Sequence, residues 1–209
     1  MWETMQRGGL IMWPIALCSV VMGAIIVDRW WQLWREEIDT KVFMEQISKS
    51  LRRNKIMEAI DLCDRTKGPI ANILKAGILK HDRPRLEIKE AIEDASIHEI
   101  PRLEKNLPML ATIAHIAPLL GLLGTVLGMV TAFQVIESKA SAVNPVNPGD
   151  LAGGIWAALL TTVAGLMVAI PAYIAYNYFV SRIDGFVLEM ERSATDLLNI
   201  LGEKREEIE

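Results

Sequence analysis

The sequence predicts an all-α integral membrane protein. It has three transmembrane helices, its N-terminus outside, and long cytoplasmic helical extensions of spans two and three. Three observations predict this. Apolar residues make up 51% of the chain and charged residues 23%, and the two populations are segregated along it. Three uncharged apolar runs are each long enough to cross a ~30 Å hydrocarbon core. Lysine and arginine gather on one side of those runs, which sets the orientation.

Gly8 to Val27 (GGLIMWPIALCSVVMGAIIV) is the first run. A signal peptide is the competing reading. Glu3 spoils the basic leading region, the apolar run is too long, and no small-x-small cleavage site follows. A retained span is therefore expected. Asp28, Arg29 and the aromatics Trp30, Trp31 and Trp34 mark a membrane–water boundary, so residues 1–34 form an outer N-terminus plus span one.

Residues 35–105 mix both charge signs with apolar positions at helical spacing, such as Val42, Ile47, Leu51, Ile56 and Ile60. Gly68-Pro69, Gly77 and the stretch HDRPR are expected to break this segment into several helices. Its balanced charge reads as a solvated helical layer rather than a catalytic cluster.

Spans two and three lie within 106–181. The uncharged runs extend from Asn106 to Ile136 and across the residues between Asp150 and Arg182. Each is roughly 46 Å long as a helix, which exceeds the bilayer core and implies projection on one side. The loop between them, 137–150, contains a single basic residue, Lys139, whereas Arg35 to Lys105 holds fifteen. The middle segment and the tail 182–209 are thus expected to be cytoplasmic and the loop periplasmic. In the tail, Ile183, Val187, Met190, Ala194, Leu197 and Leu201 alternate four and three, the seam of a coiled-coil-like helix continuing span three. The final EKREEIE is expected to fray.

Two features lift spans two and three above plain anchors. Small residues recur at four-residue steps: Gly121–Thr125 and Gly124–Gly128 in span two, Ala157–Thr161–Gly165–Ala169 and Gly154–Ala158–Thr162 in span three. Such stripes let helix backbones approach closely in lipid. The second feature is the hydroxyls of Thr125, Thr161 and Thr162. Each can simply bond its own preceding turn. Presented by several subunits to one axis, they would line a narrow polar passage that solvates an ion briefly. Pro171 frees a carbonyl near Met167 and is expected to kink span three. His115 is the only titratable side chain in span two, read either as a proton relay or as an interfacial histidine. No Asp or Glu lies in any span, so an ion-binding carboxylate would have to come from another chain.

Several function classes fall away. A net charge of −4 without a basic stripe argues against nucleic acid. Cys18 and Cys63 form neither a CxxC pair nor a zinc spacing and read as two unrelated free thiols. No metal site or cofactor is expected. GLLGTVLG lacks the Lys-Ser/Thr ending of a phosphate loop, and no HExxH, GxSxG or paired intramembrane carboxylates occur. An enzyme is not expected.

The elements LPMLATIAHIAPLLGLLGTVLGMVTAFQ and GGIWAALLTTVAGLMVAIPAYIAYN closely resemble the MotA/TolQ/ExbB proton-channel family, in its ExbB/TolQ branch. The match rests on Ile116 to Gly128 and Ala158 to Ala172, and the layout agrees over nearly the whole chain. The resemblance implies a pentamer in the inner membrane of Gram-negative bacteria. It surrounds the single spans of ExbD/TolR-like subunits that carry the ion-binding aspartate. Proton flow is then coupled to motion that works on the outer membrane through a TonB- or TolA-like protein. It places pore-facing threonines at Thr125 and Thr162 and the span-three proline at Pro171. The family usually has glutamate at the position of Ala157. Flagellar stators lack that acid and conduct, so a natural variant and a conduction-impaired Glu→Ala form both fit. A non-conducting oligomeric scaffold is the alternative function. ExbB-like uptake and TolQ-like envelope maintenance, and H⁺ and Na⁺, stay open at this point.

Overall fold

The computed structural model describes residues 9–36, 39–140 and 148–206. These form helices only: α1 (Met12–Glu36), α2 (Thr40–Arg52), α3 (Ile56–Arg65), α4 (Pro69–Leu79), α5 (Arg85–Glu104), α6 (Leu107–Ala140) and α7 (Pro148–Glu206). Among the described residues there is no strand. Three helices are long and apolar enough to cross a membrane, centred on α1, α6 and α7. Only 17%, 22% and 33% of their most apolar windows is buried within the chain. Much of the remainder is exposed apolar surface, which water would not tolerate but lipid or other membrane helices would. At 1.5 Å per residue, the 59 residues of α7 reach roughly 88 Å. No bilayer contains that length.

Helix boundaries have local causes. The Asp39 carboxylate accepts from the amides of Lys41 and Val42, both at 3.2 Å, and caps α2. Asn54 (φ 61°) and Asn106 (φ 64°) take the left-handed conformation that ends a helix. Gly68 (φ 141°) with Pro69 at the first helical position opens α4, as the Gly-Pro pair predicts. Pro84, within HDRPR, holds the position just before α5, where a break is also expected. Gly77 does not break its helix. It is buried inside α4, where a Cβ would come within 2.9 Å of Ile92 and Leu197 side chains. This glycine serves packing, not termination.

The inter-span connection is shorter than 137–150 implies. α6 continues through Ala140 and α7 starts at Pro148, because ESKA favours helix and proline suits a first turn. Residues 141–147 lie outside the described residues, as do residues 1–8 of the expected outer N-terminus and the last three residues of the tail.

The chain divides into two compact units, one of Met1–Asp28 with Asn106–Tyr178, the other of Arg29–Lys105 with Phe179–Glu209. In the second unit α4 is the core. Ile70, Ala71, Ile73, Leu74 and Ile78 are all essentially inaccessible. Its 11 residues are too few to span a bilayer and suit a buried helix. The α2–α3 layer contributes Phe43, Ile47, Leu51 and Cys63; Phe43 replaces the expected Val42, which is exposed. The end of α7 buries Ile183, Phe186, Met190, Ser193, Leu197 and Leu201. The four–three repeat is therefore present but phased one residue away from Val187 and Ala194. Those two instead line a cavity of about 520 Å³ facing Ile92, Ser96 and Ile100 of α5. Polar ties flank this seam: Thr40 donates to Glu189 at 2.7 Å, Arg52 to Glu203 at 3.1 Å and Arg85 to Asn199 at 3.0 Å. Burial pushes the Cys63 thiol up to about 11, and Cys18 and Cys63 are both free.

Candidate functional site

The first unit brings α6 and α7 together as an antiparallel pair. A side chain added at Gly128 would meet Ala158 and the Gly154 carbonyl; at Gly124, the Thr161 side chain; at Gly121, the Thr161 and Thr162 backbone; at Gly165, the Ala117 carbonyl. As positions rise along one helix they fall along the other, which is the antiparallel arrangement. The two backbones touch directly at Gly121 and Gly165, while Gly124 and Gly128 make room for the Thr161 and Ala158 side chains.

The seam is narrower than the four-residue stripes imply. On α7 the buried positions are Ala158, Thr161, Gly165, Val168, Ala169 and Ala172, with Gly154 and Thr162 partly covered. On α6 the seam comprises the buried Leu110, Ala114, Ala117, Gly121, Gly124 and Ala132, with Gly128 partly covered, while Leu107 and Ile113 are buried beside it. Both follow steps that mostly alternate between four and three. A strict four-residue stripe drifts around a helix of 3.6 residues per turn, whereas alternation stays on one face. Ala157 consequently leaves the seam and is partly exposed. Sequence reasoning missed Ala114, Ala117, Ala132 and Ala172. Their signal was legible as Ala114–Ala117–Gly121–Gly124–Gly128, a run of small residues at three- and four-residue steps.

The hydroxyls do not share one setting. Thr161 is 1% exposed. Its Oγ1 donates to the Ala158 carbonyl at 2.7 Å and lies 3.4 Å from the Gly121 carbonyl across the seam. Thr162 is half-buried and donates to the same Gly121 carbonyl at 3.1 Å. Thr125 is also partly exposed, and donates to its own helix at the Leu122 carbonyl, 2.6 Å. Hence Thr161 sits inside the pair, while Thr125 and Thr162 reach its margin. Thr131, which sequence reasoning did not single out, donates back to Gly128 at 2.7 Å.

His115 is exposed on α6. Its Nδ1 donates to the Ala111 carbonyl at 2.7 Å. The ring stands edge-on to Tyr173 of α7, centroids 6.5 Å apart, a favourable aromatic geometry. Sequence reasoning named no partner for this histidine. Pro171 lies inside α7, whose helix runs unbroken through it. Among the described residues no group of three or more His, Cys, Asp or Glu side chains could hold a metal.

The contacting part of this pair, from Leu110 on α6 to Ala172 on α7, falls within residues 65–192, which match the family model of the MotA/TolQ/ExbB proton channel family. The chain belongs to that family. Within it, the relatives place this MotA/TolQ/ExbB-family chain in the ExbB/TolQ branch. It is 28% identical over 190 residues to a biopolymer transport protein ExbB homolog of Methanothermobacter thermautotrophicus, covering 90% of this chain and 66% of that one. It is 28% identical over 173 residues to biopolymer transport protein exbB1 of Vibrio cholerae, covering 81% and 75% respectively. It is 26% identical over 219 residues to the Tol-Pal system protein TolQ of Pseudomonas aeruginosa, covering 98% and 93%. Three apolar helices and this family membership together make the chain a multi-pass membrane protein.

Proposed function

We propose that the chain is the channel-forming stator subunit of an ion-driven motor in a bacterial inner membrane. Five copies surround single-span subunits like ExbD or TolR, whose aspartate binds the ion, H⁺. Ion flow drives motion that a TonB- or TolA-like protein carries to the outer membrane. The observation that carries this reading is the α6–α7 pair. Its backbones are in contact, yet Thr125 and Thr162 stay at the margin, where a neighbouring helix or an ion can reach them. Hydroxyls suit passage better than storage, since they solvate a cation without holding it.

The orientation follows from the distribution of Lys and Arg. The N-terminus and the α6–α7 connection face the periplasm, and the second unit is the cytoplasmic part, so the excess length of α7 extends inward. The missing acid at Ala157 leaves the partner's aspartate as the single intramembrane carboxylate of the path.

The test is proton flux into liposomes holding this protein with its single-span partner. Flux above that of empty liposomes is expected. Ala157→Glu, which restores the family's usual acid, is expected to raise it. Flux equal to empty liposomes from both forms would refute the channel.

A non-conducting scaffold is the second reading. It is favoured by Ala157 and by the engagement of all three hydroxyls with backbone carbonyls. Thr125→Ala and Thr162→Ala separate the two. A channel loses flux in both while its oligomer persists, and a scaffold loses nothing.

A further inference from the structure

The adjacent hydroxyls Thr161 and Thr162 converge on one acceptor, the Gly121 carbonyl of the opposite helix. Thr162 donates to it at 3.1 Å. Thr161 donates to Ala158 at 2.7 Å and stands 3.4 Å from the same Gly121 oxygen. A threonine hydroxyl has one proton and rotates to suit its surroundings, so at any moment Thr161 serves one carbonyl and faces the other. Gly124 makes room for this arrangement, because a Cβ there would overlap the Thr161 side chain. At 1% exposure Thr161 offers no direct contact to an ion. Thr162, at the margin, does.

We propose that Thr161 is a positioning residue that lets Thr162 leave the seam. When the Thr162 hydroxyl swings from the Gly121 carbonyl toward a passing ion, the Thr161 proton turns from Ala158 to Gly121. The cross-helix tie is handed from one threonine to its neighbour and stays closed. Only rotation about the Thr161 C–O bond and a few tenths of an ångström of approach are needed, which a well-packed seam permits without repacking. Ala158, at the other end of the exchange, keeps the amide partner its own helix provides. Without Thr161, every departure of Thr162 would cut the tie, so Thr162 would stay on Gly121. Two hydroxyls in sequence are therefore one device: one is held ready, the other is released. The inference rests on the channel reading.

The experiment uses the full chain with its single-span partner in liposomes, as wild type, Thr161→Val and Thr161→Ser. Valine keeps the shape and removes the hydroxyl; serine keeps the hydroxyl. Thr161→Val is expected to lower flux about fivefold, the worth of one ordinary hydrogen bond, with the oligomer intact, and Thr161→Ser to recover most of it. Thr161→Ala, which also lacks the hydroxyl, substitutes if the valine form does not assemble. Solid-state NMR of threonine-labelled protein gives a second readout, the rotamer population of Thr162. It is expected to be mixed in wild type and confined to the Gly121-bonded form without the Thr161 hydroxyl. Equal flux in wild type and Thr161→Val, or equal Thr162 populations, overturns the exchange. Absence of flux from wild type overturns the channel reading instead, and the NMR comparison still decides the exchange.

Discussion

Replacing Gly165 with alanine probes the contact on which the α6–α7 pairing depends. The new Cβ would lie 2.5 Å from the Ala117 carbonyl oxygen and 3.2 Å from the Gly121 Cα. Both are backbone atoms, so no flexible side chain can move aside. Reaching an ordinary C···O separation of ~3.3 Å requires the helices to part by roughly 0.8 Å. The Thr162–Gly121 bond, now 3.1 Å, would then stretch to about 3.9 Å, past the range of a hydrogen bond. Overpacking costs about 1–3 kcal/mol and the lost bond about 0.5–1.5 kcal/mol. Alanine returns about 1 kcal/mol of helix propensity. A net loss of about 2 kcal/mol is expected on these terms. Unfolding of the purified chain in mixed micelles with increasing SDS, followed by tryptophan fluorescence, measures it. Gly153→Ala is the control, since nothing lies within 4 Å of a Cβ there. It should be neutral or stabilising. A Gly165→Ala form as stable as wild type, or a control that loses as much, would refute the claim that backbone contact holds this pair.

In the second unit, Gly77→Ala should destabilise by only about 1 kcal/mol, because the Cβ meets the yielding ends of Ile92 and Leu197 rather than backbone; thermal unfolding would show it. Asp39→Ala should loosen the start of α2 by about 1 kcal/mol, seen as faster amide exchange over residues 41–44. Cys63, with its thiol pushed up to about 11 by burial first and by Asp64 second, should resist alkylation at pH 8 until the unit unfolds. The folded unit retains this proton at a pH where the unfolded chain, with its thiol at the ordinary value of 9.0, has lost it. Its share of stability should therefore be present below pH 9 and disappear as pH rises to about 11. Cys63→Ala should lack that part of the alkaline decline.

Much of the architecture was legible because membranes impose strong rules on composition. Uncharged runs of this length leave little choice but helices, so three spans could be read directly. Breaks at Gly68-Pro69 and HDRPR were legible because proline and glycine act locally. Gly77 was misread for the complementary reason: the same residue type also permits close packing, and only its neighbours Ile92 and Leu197 distinguish the two uses. The tail shows a similar limit. Val187 and its neighbour Phe186 are both apolar, and Ala194 and its neighbour Ser193 are both small, so a four–three pattern has two admissible phases. What packs opposite selects between them.

The site divides in the same way. Small residues at short spacing announced a close helix pair, and the run from Ile116 to Gly128 with that from Ala158 to Ala172 announced the family. Their chemistry alone could not assign the hydroxyls, because Thr161 and Thr162 are identical in kind and adjacent in sequence. A helix turns about 100° per residue, and that rotation places one inside the seam and the other at its margin. The sequence by itself determined a three-span helical chain whose second and third spans pack closely. Tertiary structure alone decided which threonine lies inside the pair and which ties it, the latter through a Gly121 carbonyl forty-one positions away from Thr162, a partner that no local pattern can specify.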